Sequence, residues 1–185
     1  MWRRVKVRDF EEDIKRIEAT LEKMEASGQY DISYIIYPPM TDIEDFEEII
    51  REEHGIDGFH VWLPLKEFYQ VTMGVTFTWV YRHRTNECYF TSGVSNLSLI
   101  SVIYEPEEQI TGEFNLYKGY KIFDFVGGNK YVLDGNYVAV QFVEGREEPD
   151  FYYYSFDTEM YYKMSIGFVE YMNLLLECRG LYMWQ

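Results

Sequence analysis

His54, His60, His83, Cys88 and Cys178 are the residues of this chain best able to hold a metal or attack a substrate. His54 and His60 lie six positions apart around Gly55, a gap that fits neither the helical pair of a zinc protease nor a zinc finger. His83 sits between Arg82 and Arg84 in a basic turn. Cys88 could act as a nucleophile only with a base beside it, and a buried structural thiol is the simpler reading. There is no phosphate-binding Walker loop and no Gly-x-Ser-x-Gly elbow. Gly127-Gly128 precedes a strand-like run, so it lacks the helix N-terminus that phosphate binding exploits. Paired carboxylates abound on the segment 42–53, but acid–base work needs one of them desolvated, and nothing in the sequence suggests burial. The expectation is a non-enzymatic chain with no catalytic residue, no cofactor and no metal.

The charge is unevenly placed. Residues 1–29 carry seven basic and seven acidic side chains, so the formal −15 falls on residues 30–185. A nucleic-acid ligand needs a basic face to neutralise phosphates, and this chain offers none. Two alternatives remain: a basic protein partner drawn by the acidic surface, or acidity that keeps an aromatic-rich chain in solution.

Composition points to a folded, β-rich domain: 47% hydrophobic and 19% aromatic residues, with 18 Tyr and 13 Phe. At 185 residues the chain suits a single domain, with 1–29 as an N-terminal helical extension. No apolar run approaches the ~20 residues a membrane span needs. Asp9, Glu11, Glu12 and Asp13 follow the basic start at once and leave no signal-peptide core. A cytoplasmic protein with two reduced thiols is expected, one in which the glycosylation-like Asn96-Leu97-Ser98 is idle.

The elements that must position any site follow from apolar periodicity. Phe10, Ile14, Ile17, Leu21 and Met24 form a helical stripe after Asp9, ending at Ser27-Gly28. That stripe suits either a coiled-coil seam or a helix lying on its own domain. Ile32–Tyr37, stopped by Pro38-Pro39, suits either an edge strand or a simple lead into the helix that follows. Thr41 or Asp42 caps a helix over 42–53, and Pro64 opens a short helix, Leu65–Val71. Strands are expected at Val75–Tyr81, Glu87–Phe90, Leu99–Tyr104, Lys121–Phe125, Lys130–Leu133, Tyr137–Val143 and Phe151–Phe156. A Ser/Gly/Asn loop precedes Leu99. A closing helix capped by Ser165 carries Phe168, Val169, Met172, Leu175 and Leu176. The predicted fold class is α+β: a largely antiparallel sheet of about six strands, flanked by N-terminal and C-terminal helices.

Several of these features together resemble the SUKH superfamily. They are Pro38-Pro39, Ile43-x-x-Phe46-Glu47 on a helix, Leu63-Pro64, Phe68-Tyr69 on a short helix, and Gly74 before the first strand. Ile122-Phe123-Asp124 resembles that family's late core strand, and Ser165-x-x-Phe168-x-x-Tyr171-Met172 its closing helix. Met73-Gly74 stands where the family often has Asn-Gly, and the segment 55–62 lengthens the gap before Leu-Pro. The resemblance implies the fold of yeast cell-wall-synthesis regulators and bacterial toxin-immunity proteins.

It also implies a function: stoichiometric binding of a basic protein toxin, often a nuclease, whose substrate site is occluded. Candidate contacts are two acidic turns beside strands, Glu105, Glu107 and Glu108, and Glu144, Glu147, Glu148 and Asp150. Tyr104 and Phe151 are the adjacent aromatic anchors, since aromatics dominate such interfaces. The rivals are a regulatory scaffold in a larger assembly and a small-molecule-binding or hydrolytic domain with an aromatic-lined pocket.

Overall fold

The computed structural model describes residues 8–55, 57–82, 92–98, 119–125, 136–146 and 148–178. Within them the chain is α+β, with four helices and two antiparallel sheets. Helix α1 (Phe10–Ala26) is capped by Asp9, whose carboxylate accepts the Glu12 amide at 3.1 Å. Glu11, Glu12 and Asp13 in its first turn favour the positive end of the helix dipole. The Phe10, Ile14, Ile17, Leu21 and Met24 stripe is buried in the common core, so this helix lies on its own domain. Arg8 ties its start to the far end of the chain, donating to the Val169 carbonyl and the Asn173 side chain, both at 2.8 Å.

Strand β1 (Tyr30–Ile36) pairs with β2 (Gly74–Tyr81), which pairs in turn with β3 (Ser92–Ser98). Helices α2 (Ile43–His54) and α3 (Leu63–Val71) fill the β1–β2 connection. The Pro38–Met40 segment is laced to α3, with Met40 N donating to Tyr69 O at 2.9 Å and Met73 N to Pro38 O at 2.8 Å. Asp42 stands at the N-cap of α2 without a capping side-chain bond; it accepts instead from the Thr41 hydroxyl at 3.1 Å.

The second sheet runs β4 (Lys121–Phe125), β5 (Tyr137–Gln141), β6 (Asp150–Ser155), β7 (Met160–Lys163), each antiparallel to the next. A bulge between Ile122 and Asp124 turns both Phe123 and Asp124 into the core. On the outer face Tyr137, Tyr154 and Tyr161 occupy one cross-strand row. Tyr120 stacks on Tyr161 at 3.8 Å, and the Tyr137 and Tyr161 hydroxyls are 2.7 Å apart. Helix α4 (Phe168–Cys178) closes the fold, and Phe168 packs against Phe10, Phe68 and Phe123 at 5.5–5.7 Å.

The described strands form two antiparallel ladders, of three and four strands, within the expected α+β class. Two sequence expectations need correction. Ser92–Ser98, read as a loop from its Ser, Gly and Asn content, is a strand held by its pairing with β2. The closing helix begins at Phe168 rather than next to Ser165, its first turn anchored by Tyr171 N on Gly167 O at 2.9 Å. The strands expected at 87–90, 99–104 and 130–133 lie outside the described residues.

Candidate functional site

The Glu47 carboxylate organises the most sharply defined surface feature. Glu47 belongs to the inward stripe of α2 with Ile43 and Ile50, and it is buried. Burying a carboxylate requires that its oxygens be bonded or paired. Its Oε1 accepts the Val61 amide at 2.9 Å, and its Oε2 lies 3.4 Å from Arg51, 3.3 Å from His60 Nδ1 and 3.7 Å from Lys66 Nζ. Arg51 also donates Nε to the Phe59 carbonyl at 2.8 Å. One turn of α2 thereby pins the 59–61 segment, which has no regular structure of its own. Lys66 also donates to Glu44 at 2.8 Å; that bond raises the Lys66 pKa and lowers that of Glu44.

The pinned segment forms one wall of a cleft of about 470 Å³, lined by Phe59, His60, Trp62, Leu63, Phe142 and Arg146 among others. Phe59 and Phe142 are buried and meet edge to face at 6.3 Å. Trp62 packs on Phe168 at 6.1 Å, while Leu63 is 64% exposed, far more than its type favours. The turn after β5 also lines the cleft, closed by Arg146 N on Val143 O at 3.0 Å with Gly145 in the left-handed region. Glu144 and Glu148 are exposed on that turn and the segment following it.

The candidate contacts divide sharply. Tyr104, Glu105, Glu107, Glu108 and Glu147 lie outside the described residues. Glu144 and Glu148 face solvent near the cleft, as a contact requires. Asp150 is engaged within the fold: Arg146 donates to both its oxygens at 3.0 and 3.2 Å, and Lys163 donates at 2.7 Å. The Lys163 bond, with help from Arg146, lowers the Asp150 pKa, and Asp150 raises that of Arg146. Phe151 is the correction. It is 2% exposed, against Phe123 at 5.2 Å and Tyr171 at 6.3 Å, so it anchors the core and offers a partner nothing.

Sequence reading missed a second polar cluster. Asp124, fully buried, accepts from the Ser95 hydroxyl at 3.1 Å and from the Tyr171 hydroxyl. These bonds staple β3, β4 and α4 at one point beneath the surface. Lys121 is also buried on β4, where desolvation pulls its ammonium down to about 8. Two charged residues inside the apolar run Lys121–Phe125 were the available signal. Among the described residues no group of three or more His, Cys, Asp or Glu side chains could hold a metal ion. Nor is any described helix long and apolar enough to cross a membrane. Set against known proteins, the chain matches no family model, no curated protein and no solved structure.

Proposed function

We propose that this chain is a stoichiometric protein-binding module of the immunity type that its resemblance to the SUKH superfamily implies. It acts in the bacterial cytoplasm on a basic toxin, covering the toxin's substrate site, and carries out no chemistry of its own. The observation that carries this reading is the cleft rim. Leu63, 64% exposed, and half-buried Trp62 line the cleft together with Gly145 and Arg146, and the neighbouring Glu144 is exposed. The charge of Arg146 on the lining is met within the fold by Asp150, so an apolar anchor point with exposed Glu144 and Glu148 nearby suits a partner presenting a large side chain among lysines or arginines. The acidic balance of residues 30–185 favours the same partner through faster encounter.

Further support comes from where the resembling residues meet. Glu47 reaches the segment just before Leu63-Pro64, and Tyr171 reaches Asp124. The motif positions therefore act as a connected framework behind the cleft.

The test is a toxicity rescue. Neighbouring open reading frames are expressed alone and with this chain, and growth is followed. One of them should be toxic and be rescued, with the two proteins co-purifying at a fixed ratio. If no neighbour is toxic, or soluble chain fails to rescue, the reading is wrong.

A further inference from the structure

On the outer face of the second sheet, the ladder gathers tyrosines from β5, β6 and β7. Tyr137, Tyr154 and Tyr161 share one cross-strand row. In the next row stand Ile122, Ala139, Tyr152 and Lys163, so a lone methyl group sits between bulkier neighbours. Beside so short a side chain, rings rooted on different strands can lean together. Tyr120, one residue before β4, meets Tyr152 edge to face at 4.9 Å and Tyr161 face to face.

The Tyr120 and Tyr161 rings lie 3.8 Å apart with 8° between their planes. Aromatic pairs ordinarily settle offset or edge to face at roughly 4.5–7 Å, so these two rings are held in close register. The Tyr161 hydroxyl is 2.7 Å from that of Tyr137, which fixes its ring, and Tyr137 is itself stacked on Tyr154 at 4.6 Å. Tyr120 and Tyr161 are both half-buried, so an oxidant in solution can reach them.

A phenol that loses an electron and its O–H proton becomes a phenoxyl radical, whose unpaired electron is shared by the ring carbons ortho to oxygen. Two such radicals join through those carbons. In rings stacked face to face, whatever their rotation about the common axis, an ortho carbon of one lies no more than a ring bond's length to the side of an ortho carbon of the other. Coupling here waits on no diffusion, because the fold has already brought the reacting rings into contact.

We propose that Tyr120 and Tyr161 form an oxidative cross-linking site, converted to a dityrosine by a one-electron oxidant of the high-valent metal class. Two equivalents of oxidant each take one electron, and each phenol releases its proton to water. The radicals form a carbon–carbon bond between ortho positions, and the hydrogens on those two carbons shift to the oxygens, restoring both phenols. The product is lighter by two hydrogens, and both oxidant equivalents are reduced. The bond fastens the start of β4 to β7, the first and last strands of this ladder. It stands apart from the toxin reading, since none of these tyrosines lines the cleft.

The test illuminates the full chain, in dilute solution, with a ruthenium(II) polypyridyl complex and persulfate, which generate ruthenium(III) as the oxidant. The monomer band is recovered from a denaturing gel, so that only bonds within one chain are read, and digested with trypsin. Tyr120 is then the sole tyrosine of peptide 119–121, and Tyr161 lies in peptide 147–163. Mass spectrometry should find these two peptides joined, lighter than their sum by two hydrogens, with fragmentation placing the bond at Tyr161. Tyr161→Phe keeps the ring but lacks the phenol and should abolish the joined peptide, while Tyr152→Phe should leave it. Circular dichroism checks that both variants stay folded. No joined peptide in the oxidised parent chain, or as much of it in Tyr161→Phe as in the parent, overturns the proposal. Loss of the joined peptide in Tyr152→Phe would move the coupling to Tyr152 and overturn it equally.

Discussion

The Glu47 carboxylate holds the Val61 amide at 2.9 Å across fourteen residues, so a buried charge on α2 fixes the irregular segment that walls the cleft. The same carboxylate lies within 4 Å of Arg51, His60 and Lys66. Replacing it by alanine strands a buried amide and removes the common counter-charge. Glu47→Ala should cost about 2–3 kcal/mol in urea unfolding, and Glu47→Gln, which keeps an acceptor, clearly less. Equal stability for Glu47→Ala and the parent chain would show that the clamp does not hold this segment.

Tyr171 and Asp124 predict a second loss. Removing the hydroxyl with Tyr171→Phe leaves the ring packing on Phe123 intact but deletes a hydrogen bond to a buried carboxylate. The expected cost is about 1.5–3 kcal/mol, the range for bonds to charged groups. Denaturant midpoints of the two proteins, at unchanged slope, measure it.

Lys121 gives a pH dependence. Its folded pKa, about 8, lies below the ordinary 10.5 because burial disfavours the ammonium. Below about pH 8 both states bind the proton, and the folded state carries the penalty of a buried charge. Between about 8 and 10.5 the unfolded chain binds more protons than the folded one, so this group's contribution to stability rises with pH. Lys121→Met should flatten that rise. An identical stability–pH curve for the variant would contradict the assignment.

Gly55 closes α2 at φ 62°, in the left-handed region, with open space where a Cβ would be. Gly55→Ala should therefore cost about 1 kcal/mol through the backbone alone. A small drop in melting temperature with unchanged partner binding is the expected outcome.

Leu63 separates binding from folding. It is exposed in the first turn of α3, where a carboxylate is favoured by the helix dipole. Leu63→Asp should leave thermal stability unchanged and weaken partner binding by at least about tenfold, as loss of an interface anchor does. Raising salt should weaken the parent complex as well, since the rim is charged. Undiminished rescue by Leu63→Asp would move the binding face elsewhere.

The helices and most described strands were legible in the sequence because their signals are local. The Phe10–Met24 stripe, the α2 stripe and the alternation of Val75–Tyr81 each depend on neighbours a few residues away. Ser92–Ser98 was not legible. Serine, glycine and asparagine favour turns, and only the ladder with β2 makes that stretch extended. Period-two alternation in Asp150–Ser155 separates two faces but does not say which is inside, and Phe151 was misjudged for that reason.

What the sequence alone determined was the α+β class, the acidic balance and the positions of the chain's stiff elements. Tertiary structure decided which charges are working parts of the fold. Glu47 finds Val61, Asp124 finds Ser95 and Tyr171, and Asp150 finds Arg146 and Lys163. A carboxylate's role is set by whether it is desolvated and what then compensates it. Of these partners only Arg146 is as near in sequence as one helical turn. The rest come into reach when the chain folds, so the role of each carboxylate rests on contacts that no local pattern records.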